Sequence, residues 1–142
     1  MTLRPAPAPV AIQEAPDDFG WASQELAAVR LELESDVARL RAEMRTGQSE
    51  LASSMNPLRA GGGDDSMALA SHAAELEQQL RTLDNVGAVL AQTELALKRL
   101  VDGCYPSCEA CAQPVGKARQ EAFPRAVTCL RCQQRRDRRS SS

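Results

Sequence analysis

Aromatic side chains are scarce in this chain, and only 3% of its 142 residues are Phe, Trp or Tyr. Domains with a large buried core usually draw much of their apolar area from such side chains, so a sheet-based catalytic domain is not expected. No apolar run of about 18 residues is present, which excludes a membrane span. Residues 1–9 lack the apolar block of a secretory signal. The sequence therefore predicts a cytoplasmic protein.

Catalytic motifs are missing as well. The sequence contains no P-loop, no evident pair of nucleophile and base, and no carboxylate constellation. We therefore expect a non-enzymatic protein.

Helix-forming residues fill the middle of the chain and predict a first long helix. It should begin between Asp17 and Ser23, which are good N-caps, and end before Pro57. The apolar residues that trace one stripe along it are Leu26, Val29, Leu33, Val37, Leu40, Met44, Leu51 and Met55. The seven-residue spacing is interrupted at Met44, which follows Leu40 after only four residues, and Gly47 comes soon after. We therefore expect a bend or a weakened stretch of helix there.

A second helix has the cleaner periodicity. Its leucines stand seven apart without a slip, at Leu69, Leu76, Leu83, Leu90 and Leu97. Asp64, Asp65 and Ser66 are good caps at its start, and Gly103 is well placed to end it. This spacing is typical of a coiled-coil seam.

The two helices match in length at about 35 residues, or about 50 Å each, and a short link containing three glycines joins them. The sequence therefore predicts an all-α dominated fold with a long antiparallel helical hairpin, in a monomer. An intermolecular leucine zipper would bury the same stripes and remains the alternative.

The cysteines are confined to the last third of the chain. Four of them form two C-x-x-C pairs, Cys108 with Cys111 and Cys129 with Cys132, separated by 17 residues. Two such pairs supply four thiolates in the tetrahedral arrangement that suits one structural Zn²⁺ ion, with no position left for a catalytic water. The fifth, Cys104, is left over, and a thiol redox sensor built on it is a further alternative.

Charge is distributed unevenly. Residues 1–102 carry nine basic and 16 acidic side chains, whereas residues 103–142 carry eight basic and three acidic ones. A run of arginines begins inside the second C-x-x-C pair, which we call the second knuckle, and continues after it: Arg131, Arg135, Arg136, Arg138 and Arg139. This tail could contact nucleic acid phosphate or an acidic protein surface, or simply be solvated.

These observations divide the chain into four predicted parts. They are a disordered Pro/Ala-rich arm at 1–16, the helical hairpin at 17–102 with its tip loop near 56–66, a zinc finger at 103–133, and a basic disordered tail at 134–142.

Residues 102–133 resemble the zinc finger of the DksA/TraR family. Besides the four paired cysteines, the residues that match the family pattern are Gly103, Tyr105, Arg119, Ala122, Pro124, Ala126 and Gln133. Pro106, Ala112 and Gln120 stand where the family usually has Gly, Gly and Leu.

The resemblance implies a regulator that binds bacterial RNA polymerase through its secondary channel and modulates transcription initiation, without sequence-specific DNA binding. The family's D-x-x-D-x-A tip motif falls on Gly62, Asp65 and Met67, so Asp64 and Asp65 are the predicted tip residues. Some members also respond to ppGpp. Phe123 stands where those members often carry a basic residue, so ppGpp stays an open partner.

Two other functions fit parts of the sequence. A leucine-zipper dimer with a basic zinc module could bind nucleic acid, as the leucine seam and the arginine tail would allow. A thiol redox sensor would use Cys104 and its neighbours.

Overall fold

The computed structural model describes residues 20–56 and 66–141. The predicted arm at 1–16 and the tip acids Asp64 and Asp65 lie outside these residues. The described chain forms four helices, α1 (Ser23–Ser54), α2 (Ser66–Val101), α3 (Lys117–Ala122) and α4 (Leu130–Ser140). The mostly helical fold with two long packed helices ahead of a four-cysteine cluster is thereby confirmed. Among the described helices, none combines the length and the apolar character needed to cross a bilayer.

The ends of the long helices follow local chemistry. At the start of α1, the backbone N–H of Ala22 donates to the Glu25 carboxylate at 3.0 Å, which satisfies one of the free donors of the first turn. At the end of α2, Gly103 adopts a φ of 84°. The N–H of Cys104 reaches the carbonyl of Arg99, and that of Gly103 reaches Leu100. This is a Schellman motif, as the position of Gly103 predicts.

One compact unit consists of Asp36–Ala91. Within it α1 and α2 pack antiparallel, because successive contacts climb one helix while they descend the other. A methyl group added at Gly87 would lie 3.9 Å from Met44, whereas one at Gly47 would lie only 2.5 Å from the Leu83 side chain. Helix α1 continues through Gly47 without interruption, and Leu83 takes up the space beside it.

The other unit combines the start of α1 and the end of α2 with the cysteine-containing segment. Its core consists of Trp21, Val29, Leu33, Ala96, Tyr105 and Val127. The most deeply buried residues of α2 are Thr93 and Ala96, with 1% and 0% of their surface exposed, whereas Leu97 is only half-buried. Four of the five seam leucines, Leu76, Leu83, Leu90 and Leu97, are half-buried, whereas Leu69 is 56% exposed. The smaller side chains of Thr93 and Ala96 are buried more deeply than any of the seam leucines.

The C-terminal tail differs from the sequence prediction. Residues 134–142 are predicted to be disordered, yet α4 runs from Leu130 to Ser140. Its first turn contains Cys132, which is buried in the cysteine cluster, and Arg136 forms an ion pair with Glu109 at 2.9 Å. These two attachments order a segment whose charge density alone indicates disorder.

Candidate metal centre

The four paired cysteines come together in one cluster. The Sγ atoms of Cys108, Cys111, Cys129 and Cys132 all lie within 4.8 Å of one another. The first pair sits in a tight turn in which the N–H of Ala112 donates to the carbonyl of Cys108 at 2.9 Å. The second pair lies where α4 begins, with Cys129 as its N-cap.

The geometry of this cluster fits zinc. A tetrahedral ion with Zn–S bonds of about 2.3 Å needs sulfur atoms about 3.8 Å apart. The sulfur atoms of Cys111 and Cys129 are 3.8 Å apart. A site with four protein thiolates is closed to water and substrate, so the cluster implies one structural Zn²⁺ ion.

The pKa shifts of the cysteine thiols also indicate that a cation would stabilise the cluster. Burial raises the pKa of the Cys108 thiol, but backbone N–H groups of Cys129, Ala110 and Cys111 outweigh it and bring the pKa down to about 6. Cys132 behaves in the opposite way: its hydrogen bond with Cys129, together with burial, raises its pKa to about 12. Four crowded thiols therefore cannot all ionise unless a divalent cation offsets their mutual repulsion.

Hydrogen bonds connect the chain segments that surround the cysteine cluster. Gln120 is fully buried, and its side-chain amide donates to the carbonyls of Tyr105 at 2.8 Å and Ala126 at 3.2 Å. It thereby ties the segment before the first knuckle to the segment before the second. The Tyr105 hydroxyl donates to the Pro124 carbonyl at 2.7 Å, and its burial raises its pKa. The glutamine that departs from the usual leucine thus has a structural role.

Ala112 stands where the family usually has glycine, and its backbone adopts a conformation that glycine tolerates better than alanine. Its φ is 64°, and among the described residues it is the one non-glycine with a positive φ. The left-handed conformation costs a residue with a Cβ about 1–2 kcal/mol. The first knuckle is therefore strained at the residue that follows Cys111.

Replacing Ala112 by glycine should relieve this strain. Glycine adds conformational entropy to the unfolded chain, which costs about 0.4–1 kcal/mol, so the net stabilisation should be about 0.5–1 kcal/mol. Zinc affinity should rise by a few-fold, measured by competition with a chromophoric chelator. The exposed Ala110, whose φ is not positive, is the matched control, and Ala110→Gly should not tighten zinc binding. Equal affinities for Ala112→Gly and the wild type would show that the turn is not strained.

A second cluster connects the cysteine segment to the start of α1, and the sequence gives little sign of it. Trp21 lies edge-on to Tyr105, with ring centroids 5.9 Å apart. Lys117 places its ammonium 5.4 Å from the Trp21 ring and pairs with the Glu25 carboxylate at 2.7 Å. The ion pair lowers the pKa of Glu25. We call Trp21, Glu25, Tyr105 and Lys117 the tryptophan clamp.

The remaining predicted site residues are placed as follows. Cys104 is half-buried and does not belong to the four-sulfur cluster, and all five cysteines are free of disulfides. Asp64 and Asp65 lie outside the described residues.

Two long packed helices followed by a closed four-cysteine cluster define a helical protein with a structural C4 zinc finger. Residues 103–138 match the prokaryotic dksA/traR C4-type zinc finger. This segment is therefore similar to the zinc fingers of the DksA/TraR family.

The similarity of this chain to known proteins extends beyond the finger. The RNA polymerase-binding transcription factors DksA of two strains of Caulobacter vibrioides are each 37% identical to it over 70 residues. These matches cover 49% of this chain and 49% of each relative, so the matched region is about half of either protein. The structure of transcription factor DksA2 from Pseudomonas aeruginosa is similar over 93% of this chain and 98% of that one, with a TM-score of 0.69 and 25% identity.

Proposed function

We propose that this chain binds bacterial RNA polymerase through the secondary channel and modulates transcription initiation without catalysing a reaction. The observation that carries the proposal is the combination of a DksA/TraR zinc finger at 103–138 with a fold similar to DksA2 over almost the whole chain. The relatives that match half of the chain are named for polymerase binding. A cytoplasmic location and a monomeric state belong to the same proposal.

In this proposal the zinc ligands are Cys108, Cys111, Cys129 and Cys132. Their clustering within 4.8 Å and their paired knuckles support the assignment. The ion would stabilise the module and hold its surface in one shape, with no chemical role of its own.

The packing of the helices favours this proposal over the leucine-zipper dimer. Leu83, in the middle of the leucine seam, lies against Gly47 of the same chain. An intermolecular zipper would need this seam to face a second copy.

Phe123, an exposed apolar side chain with 57% of its surface accessible, offers no charge to a nucleotide phosphate, so the proposal does not include ppGpp.

Binding can be tested directly with the cognate core polymerase. The zinc-loaded chain should bind at micromolar concentration or below, and another secondary-channel factor should displace it. Absence of binding at micromolar concentration, with zinc content and helical circular dichroism intact, would refute the proposal. Binding that the competitor does not displace would place the chain elsewhere on the polymerase.

The tip acids should act after binding. We expect the double variant Asp64→Asn, Asp65→Asn to keep its polymerase Kd within about fivefold, or about 1 kcal/mol, because Asn keeps the size of Asp and a surface ion pair usually contributes at most about 1 kcal/mol. Its effect on the lifetime of promoter complexes should be lost, because the charge near the catalytic metal would be gone. The double variant Glu75→Gln, Glu77→Gln removes the same charge from two exposed positions of α2 and should retain the wild-type effect. If the tip variant also kept it, the acids would have no regulatory role.

A further inference from the structure

The outer side of α4 carries a row of arginines that the zinc site does not use. Arg131, Arg135 and Arg138 follow one another at i, i+4 and i+7 and are exposed. At 100° per residue they fall within an arc of about 60°, spaced about 5 Å apart along the axis. We call these three residues the arginine face.

The arginine face is electrostatically uncompensated. Within the described chain, none of its three side chains has an ion-pair or hydrogen-bond partner. The other charged groups of α4 are occupied or lie elsewhere on the helix: Arg136 pairs with Glu109, and Asp137 accepts from Gln133 at 3.0 Å. Three unpaired guanidinium groups in one row attract a linear array of negative charge.

We propose that the arginine face binds the phosphodiester backbone of nucleic acid without reading its sequence. Duplex DNA carries one phosphate charge per about 1.7 Å of its axis, so arginines about 5 Å apart each find a phosphate within reach. The planar guanidinium fork matches the oxygens of a phosphate group. The excess of acidic side chains in residues 1–102 opposes contacts elsewhere and confines them to this end of the sequence.

A protein partner fits this face less well. The centre of a protein–protein interface is usually depleted of charge and contains an aromatic or aliphatic anchor. The position next to the three arginines around α4 is Gln134, which is exposed and polar, and the exposed Leu130 at the start of the helix lies outside their arc. A row of charge with no apolar centre is typical of phosphate binding.

Helix α4 is well suited to hold this face in place. Cys132 in its first turn belongs to the cysteine cluster, and the Gln133 side chain accepts a hydrogen bond from the Thr128 hydroxyl at 3.0 Å. Because the row is fixed before binding, less conformational entropy is lost when the phosphates are engaged.

Salt-dependent binding tests the proposal. The zinc-loaded full chain is titrated against two fluorescent probes, a short duplex DNA of random sequence and a single-stranded RNA of equal length. Three phosphate contacts predict a slope of log K against log salt of about −2.7 on duplex DNA, so affinity should fall about 40-fold between about 50 and 200 mM salt. The triple variant R131Q/R135Q/R138Q should lose this dependence. The probe that binds more tightly identifies the kind of nucleic acid.

Two control variants show whether the salt dependence comes from the arginine face or from changes in net charge or folding. The variant R30Q/R45Q/R81Q removes the same charge from exposed arginines of α1 and α2 and should keep the slope. The double variant R135Q/R138Q spares the residue between the knuckle cysteines, and its slope should weaken by about 1.8. All variants should bind one zinc ion.

The proposal is overturned if the wild type binds neither probe at low salt, or if the triple variant and its charge-matched control bind alike. Loss of polymerase binding by the triple variant, with nucleic acid binding unchanged, would also overturn it and assign the face to an acidic protein surface. These outcomes are independent of the polymerase test, because the probes are used without polymerase.

Discussion

Replacing Cys129 by serine should release the zinc ion and unfold the module around it. A neutral hydroxyl is a poor replacement for a thiolate ligand, and three thiolates remain in a segment whose small core depends on the metal. In small zinc fingers, zinc binding contributes roughly 10–16 kcal/mol of apparent folding free energy. Zinc content by atomic emission should fall from one ion per chain to almost none. Most helical circular dichroism should persist, because α1 and α2 contain 32 and 36 residues.

The matched control is Cys104→Ser. Cys104 lies outside the four-sulfur cluster, so this variant should retain one zinc ion and its polymerase binding. A loss of metal in Cys104→Ser as complete as in Cys129→Ser would contradict the ligand assignment. Retained metal with altered oxidant sensitivity would revive the redox-sensor alternative.

Replacing Trp21 by alanine should destabilise the unit that contains the finger by about 3–5 kcal/mol. The indole has only 4% of its surface exposed and packs against Tyr105 in the core that α1, α2 and the finger share. Its loss also removes the cation–π contact with Lys117. Urea unfolding followed by circular dichroism measures the change. The zinc ligands are untouched, so the folded variant should still bind one ion.

Two further variants separate packing from other effects. Trp21→Phe keeps an aromatic ring and removes an indole N–H that is buried without a hydrogen-bond partner in the described structure, so it should cost much less than alanine. Leu31→Ala removes a large apolar side chain that is 69% exposed and should change stability little. If Trp21→Ala cost no more than Leu31→Ala, the tryptophan clamp would not contribute to stability.

Local chemistry made several features predictable from sequence. Helix α1 begins at Ser23 and ends before Pro57, and α2 ends just before Gly103, as the sequence predicts, and the stripe from Val29 to Leu40 is buried as its period predicts. The knuckle spacing identified four cysteines that do cluster. Each of these signals is carried by residues close together in sequence.

Features that depend on distant contacts were not predictable. The deep burial of Thr93 and Ala96 reflects crowding in the core that contains Trp21 and Tyr105, which helical periodicity does not encode. The prediction of a disordered tail was wrong because the cysteine cluster and Glu109 order α4 from outside its own sequence. The side chain of Lys117 reaches Glu25, 92 residues away in the chain.

The position of Trp21 gives the molecule an intrinsic optical reporter. It is the one tryptophan in the sequence, and it touches Tyr105, which precedes the first knuckle cysteine by only three positions. Chelation that loosens the knuckle would expose the indole to water and move its fluorescence emission to longer wavelength. Metal occupancy could therefore be followed in real time, without a dye, in a mixture with unlabelled nucleic acid.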